Sequence, residues 1–262
     1  MAGRVAYLGN IVTQGLILDL DAAKPQSYPG TGTTWNDLSY SNNHSELVRV
    51  SSSLGLSVDN AILFSTGSMY LGCINGSATT PSTRNNQFAF DPTGTVGPAS
   101  ITIEVWFKSN QTVFPSTYLL AKPWNGSGQY NYTIRVLTTS SFTCNLQLAS
   151  GGSSFTTTNV PLIDNNWKQF VYWANPTQHG FYVNGGQYSG SATHNISGST
   201  PSLGNAQTSL TLMTLYPYGS FQGATPTFSL TGSLANVKFY NRQLSVAEVT
   251  QNYNALKGRY GL

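Results

Sequence analysis

The residues best suited to chemistry in this chain are aromatic rings set among amides and hydroxyls. Trp124, Tyr130 and Tyr132 fall in or beside the loop-like PWNGSGQYNY, and Tyr216, Tyr218 and Phe221 fall in LYPYGSFQ. Such rings stack on the CH-rich faces of sugars, while nearby amides and hydroxyls fix the orientation of a polar ligand. The candidate glycan contacts are therefore Trp124 with Tyr130 or Tyr132, and Tyr216 with Tyr218. Aromatics are also enriched at protein interfaces, so loop anchoring and subunit contact are the competing roles.

Acids are scarce, nine in 262 residues. Glycoside hydrolysis uses two carboxylates that flank the scissile bond. The segment 101–107, ITIEVWF, carries only Glu104, with Thr102 and Trp106 as its same-face neighbours. Asp19 and Asp21 are spaced i, i+2, but a turn at Ala22–Pro25 comes directly after them, where Asp serves the backbone. The sequence reads as non-enzymatic. It has no His-Glu-x-x-His, Walker loop or Gly-x-Ser-x-Gly. His44, His179 and His194 each stand alone in polar sequence and read as solvated loop histidines. No cofactor is implied, although calcium, which takes hard oxygen ligands, would suit Asp59-Asn60 and Asp164-Asn165. The competing role of those four residues is turn formation.

Composition narrows the partners. Charged residues make up 8 % of the chain, against about 25 % in average domains. Net charge is +3, and the 12 basic residues are scattered from Arg4 to Arg259, whereas a nucleic-acid binder gathers them in a patch. No apolar run approaches the roughly 20 residues of a membrane helix. MAGRVAYLGNIVTQG lacks the apolar core of a secretory signal. Cys73 and Cys144 are expected to be two buried thiols, with one bridge as the alternative. Asn-x-Ser/Thr sequons, such as those at Asn43, Asn75, Asn125, Asn131 and Asn195, are expected by chance in so polar a chain.

The elements that must hold these residues alternate short apolar-periodic runs with Gly, Pro, Asn and Ser clusters, the pattern of an antiparallel β-sandwich. In 101–107, Ile101, Ile103, Val105 and Phe107 share the predicted inner face. In 142–148, Phe142, Cys144, Leu146 and Leu148 do the same. Asn184-Gly185-Gly186 marks a hairpin after a strand near 180. Further strands are predicted at 16–20, 61–64, 168–173, 209–215 and 234–240. One helix is expected after Ser245, whose spacing to Glu248 makes a capping box. It should close at Gly258 and lie over one end of the sandwich. The segment 75–99 is the longest predicted loop.

Two segments carry a resemblance. GLILDLDAAKPQSYPGTGTTWNDLSYSNNHSELV (15–48) resembles the opening of concanavalin A-like, laminin-G-type jelly-roll domains, and GSLANVKFYNRQLSVAEVTQNYNALKGRYGL (232–262) resembles their end. ITIEVWFK, NNWKQFVYWA and FYVNGGQ fit between them. The family pattern departs at Phe64-Ser65-Thr66-Gly67 and at Ser39–Ser45, where a carboxylate and flexible glycines are replaced. The resemblance implies one all-β jelly-roll domain over 15–262 with an N-terminal arm at 1–14. The NYNALKGRYGL tail looks like the form found in tailed-bacteriophage structural proteins. That form implies a virion role, as a capsid decoration, fibre or tail-associated subunit assembled in the host cytoplasm. Its partners would be other virion proteins, copies of itself and cell-surface glycans. The alternative is a lectin-like carbohydrate-binding module, with a glycoside hydrolase as a remote third.

Overall fold

The computed structural model describes residues 10–48, 60–64, 70–73, 87–92, 94, 97–112, 114, 117–123, 130–148, 151–194, 210–213 and 230–262. The first strands are β1 (Leu16–Asp21), β2 (Thr34–Trp35), β3 (Ser45–Val48), β4 (Ile62–Phe64) and β5 (Tyr70–Cys73). Next come β6 (Ile101–Lys108), β7 (Thr117–Pro123), β8 (Tyr130–Thr138), β9 (Ser141–Leu148) and β10 (Gly151–Thr157). The last are β11 (Lys168–Ala174), β12 (Gln178–Val183), β13 (Tyr188–Thr193), β14 (Thr211–Leu212) and β15 (Gly232–Tyr240), and the helix α1 (Val246–Leu256) follows them.

These strands form two antiparallel sheets in a jelly-roll-like sandwich. The first has the order β1-β15-β6-β11-β12-β13, with β4 also paired to β15. The second runs β10-β9-β8-β7-β14-β5-β3-β2. Period-two alternation sends Ile101, Ile103, Val105 and Phe107 into the main core, where they meet Tyr132, Ile134, Phe142 and Leu146 from the opposite sheet. Cys144 is a free, buried thiol.

The other face of β6 departs from expectation. Thr102, Glu104 and Trp106 are as buried as their inward neighbours. The helix lies across the outer face of the first sheet rather than over an end, and covers them. Trp106 stacks on Tyr253 and Tyr260, with ring centroids 5.7 and 4.5 Å away. Glu104 finds the partners a buried carboxylate needs. Oε1 accepts from Trp106 Nε1 and Gln169 Nε2, both at 3.0 Å, and Oε2 accepts from Asn252 Nδ2 at 2.7 Å.

The helix start obeys the local sequence signal. Ser245 Oγ accepts from Glu248 N, and Glu248 Oε2 accepts from Ser245 N at 2.8 Å. Its end does not. The chain continues as a 3₁₀ turn over Lys257–Tyr260, and the left-handed cap is Gly261 at φ 73°, not Gly258. The extra turn seats Tyr260 against Trp106 and Trp167.

Asn184, Gly185 and Gly186 all take positive φ and join β12 to β13 as expected. A Cβ on Gly185 would lie 2.8 Å from the Tyr253 ring, so only glycine lets this turn sit beneath the helix. Residues 10–14, the described part of the N-terminal arm, are bonded to the chain's own end. Val12 N donates to Asn252 Oδ1 at 2.8 Å, and Arg242 Nε donates to Gln14 O at 2.9 Å. Asp21 does serve its turn, accepting from Ala23 N, but Asp19 and Asp21 also pair with Lys238 and Arg259 at 3.4 and 2.7 Å.

Candidate functional site

The exposed face of the second sheet is built from the residues that alternate with its core set. On β9, Thr143, Asn145 and Gln147 face away from Phe142, Cys144 and Leu146. Register places Asn145 beside Thr133 of β8 and Ser154 of β10. Their side chains form a directed chain: Ser154 Oγ donates to Asn145 Oδ1 at 2.7 Å, and Asn145 Nδ2 donates to Thr133 Oγ1 at 2.9 Å. At the next outward-facing position of β9, the Thr143 and Thr156 hydroxyls meet at 2.9 Å.

This polar chain lines a cleft of about 560 Å³, within the range of small-ligand sites. Tyr118 and Tyr130 flank it, ring centroids 6.5 Å apart and tilted by 34°. Burial raises the Tyr118 phenol above its ordinary pKa, against the opposing pull of Arg135, so it stays a neutral hydroxyl at physiological pH. Gly152 leaves the β10 side of the cleft open; a Cβ there would meet the Leu146 carbonyl at 3.1 Å. Every lining residue is electrically neutral among the described residues. The arrangement offers ring faces and fixed amide and hydroxyl groups, and no carboxylate stands in its described lining.

The sequence expectations divide here. Tyr130 lines the cleft, half-buried, but at the start of β8 rather than in a loop. Tyr132 is corrected as a stacking ring: it is fully buried, packs in the core and donates its hydroxyl to Phe88 O. It reaches the cleft only as floor. Trp124, Tyr216, Tyr218, Phe221 and Asp59 lie outside the described residues. Asn60 is an exposed turn residue with φ 53°. Asp164 is engaged by Asn166 N at 3.0 Å and Lys168 Nζ at 2.7 Å. Burial pushes its pKa up, but these bonds outweigh it and hold the carboxyl below its usual range. Asn165, at φ 61°, donates its amide to Ser109 O, so the pair makes a turn. Among the described residues, no three His, Cys, Asp or Glu side chains come together as a metal site.

Thr133, Asn145 and Ser154 were missed because each is an ordinary polar residue in its own segment. The alternation in 142–148 already placed Asn145 outward; nothing local placed GGSSFTT beside it as a strand. The histidines also need correction. His179 is fully buried on β12, with Nδ1 3.2 Å from Tyr172 OH and Nε2 3.1 Å from Ser153 Oγ. Burial, and then His194, lower its pKa to about 4. His194 lies 5.9 Å away, ring to ring. His44 is exposed, as expected, and accepts from Asp37 N.

Residues 81–250 match the family model described as the Concanavalin A-like lectin/glucanases superfamily. No curated protein matches the chain. Among solved structures, the binding domain of botulinum neurotoxin DC in complex with SialylT is similar at 14 % identity and TM-score 0.61, over 93 % of this chain and 52 % of that one. The same toxin domain in complex with rat synaptotagmin II gives 14 % and 0.58, over 92 % and 52 %. Trypanosoma rangeli sialidase in complex with sialic acid gives 14 % and 0.60, over 95 % and 34 %. The chain thus spans about half of the toxin binding domains and a third of the sialidase. At such identity the likeness carries the fold alone. The expected virion, bacteriophage, decoration and fibre descriptors are corrected, because the comparisons return toxin binding domains and a sialidase and lend those descriptors no support. With two sheets in a jelly-roll-like sandwich and a family match over well more than half of its length, the chain belongs to the concanavalin A-like lectin/glucanases superfamily.

Proposed function

We propose that this domain is a lectin-like carbohydrate-binding module, and that it holds glycan in the cleft over β7, β8, β9 and β10. The carrying observation is the pairing of two tyrosine rings with the Ser154-Asn145-Thr133 chain in one open cleft. A sugar presents apolar ring faces and a dense set of hydroxyls, and this lining answers both. The SialylT and sialic acid bound to the toxin domain and the sialidase add support by analogy.

Binding without turnover is the reading the acids favour. Glu104, the acid on which a hydrolase reading rested, is sealed beneath the helix with three donors on its two oxygens. The test is a glycan array in calcium and in chelator, then titration of any hit. The Tyr130→Ala/Asn145→Ala double variant is expected to weaken binding at least tenfold while keeping the wild-type melting curve. Unchanged affinity in a folded double variant would remove the site from this cleft. Binding is expected to survive chelator, because Asp164 is committed to Lys168 and the cleft has no carboxylate among its described lining.

A further inference from the structure

One strand of the cleft is fastened from behind by histidine. β10 is an edge strand of the second sheet, and β13 an edge strand of the first. Ser153 bridges them, since its Oγ lies 3.3 Å from Thr193 O and 3.1 Å from His179 Nε2. Phe155, two residues along β10, packs its ring 5.1 Å from His179 and 6.2 Å from Phe181. The same strand presents Gly152, Ser153 and Ser154 to the cleft.

The surroundings of His179 disfavour a charged ring. β11 contributes the Tyr172 hydroxyl, with the Cys144 thiol of β9 and Tyr132 of β8 behind it. β10 contributes Ser153 and Phe155, and the residue after β13 contributes His194. No Asp, Glu, Lys or Arg hydrogen-bonds to or pairs with either imidazole among the described residues. His194 shares the shortage: burial lowers its pKa, and both of its ring nitrogens are buried without a hydrogen-bond partner among the described residues. A proton on either ring is buried without a counter-charge, and protons on both repel across 5.9 Å.

We propose that the His179–His194 pair is an acid-operated clasp: protonation releases β10 from β13 and so disables the cleft. The effect on sugar rests on the binding function proposed above; the release of β10 does not.

Hydrogen exchange of the β10 and β13 amides, corrected for intrinsic rates, should be measured at pH 7 and pH 4 in the full chain. Protection in β10 is expected to fall at least tenfold more than in β6, an inner strand of the first sheet. His179→Phe keeps a ring of similar size and cannot titrate, so it should abolish the difference. If that variant does not fold, His194→Phe serves. With the second charge gone, release should need a lower pH and depend less steeply on it than in the wild type. Unchanged β10 protection in the wild type at pH 4 would overturn the clasp, as would wild-type release in the folded variants. Where a glycan is found at pH 7, its affinity should fall in step with β10 protection. A failure to find any glycan counts against the cleft alone and leaves the exchange result to decide the clasp.

Discussion

Glu104 joins three elements of the fold. Its two oxygens tie β6 to β11 through Gln169 and to the helix through Asn252. Asn252 in turn holds Val12 through its carbonyl oxygen. Glu104→Gln keeps the shape but replaces one acceptor by a donor, which must face Asn252, Gln169 or Trp106. The expected cost is about 1–3 kcal/mol, measured by urea denaturation, with an unchanged denaturant slope. At this scale the sequence exposed the residue types but not their company. Glu104 stood on a legible strand, while Asn252 and Gln169 are ordinary polar residues 148 and 65 positions away. Tyr132 failed the other way: its sequence context looked like a loop, and only its depth showed that the ring belongs to the core.

Among the elements, the C-terminal helix shows how a local signal can be right about a start and wrong about an end. Ser245 and Glu248 satisfy each other's backbone amides, an interaction complete within four residues. Arg242 adds a two-pronged contact to Glu248, at 2.6 and 3.0 Å. Those bonds, with Arg242 foremost, bring the Glu248 pKa down to about 2. The stability it contributes is therefore present above its unfolded value of 4.5 and is lost as pH falls toward 2. Glu248→Ala should cost about 0.5–2 kcal/mol at pH 7, the range for a lost helix cap at a part-exposed site. Melting curves should show the variant and wild type converging as pH approaches 2. The end of the helix is set instead by Trp106 and Trp167, which capture Tyr260.

For the molecule as a whole, stability resides in the layer between the sheets. Val105 is fully buried there, paired across to Phe170 on one side and Val237 on the other. Val105→Ala should cost about 1–3 kcal/mol, read from the shift of the denaturation midpoint. A second layer, between the first sheet and the helix, holds polar groups: Glu104, Asn252, Asp19 and Lys238 are all buried in it. It explains how a chain with 8 % charged residues still places several of them out of water. The proposed binding role depends on the opposite arrangement, because the outer face of β7 to β10 leaves its hydroxyls and amides open in the cleft.

The sequence alone determined the sandwich, the inner face of β6 and β9, the Asn184–Gly186 turn and the start of the helix. Each of these depends on periodicity or on contacts within a few residues, and such information is written locally. Only the tertiary structure decided which outer face is covered and which is open. A strand's pattern shows that it has two faces; whether the second meets a helix or water depends on where a segment over a hundred residues away comes to rest. The cleft was likewise assembled from Tyr118, Thr133, Asn145 and Ser154, on four strands brought into register by long-range pairing. Buried His179 beside Ser153 and His194 belongs to the same class, since sequence records a histidine but not the depth or the neighbours that set its charge.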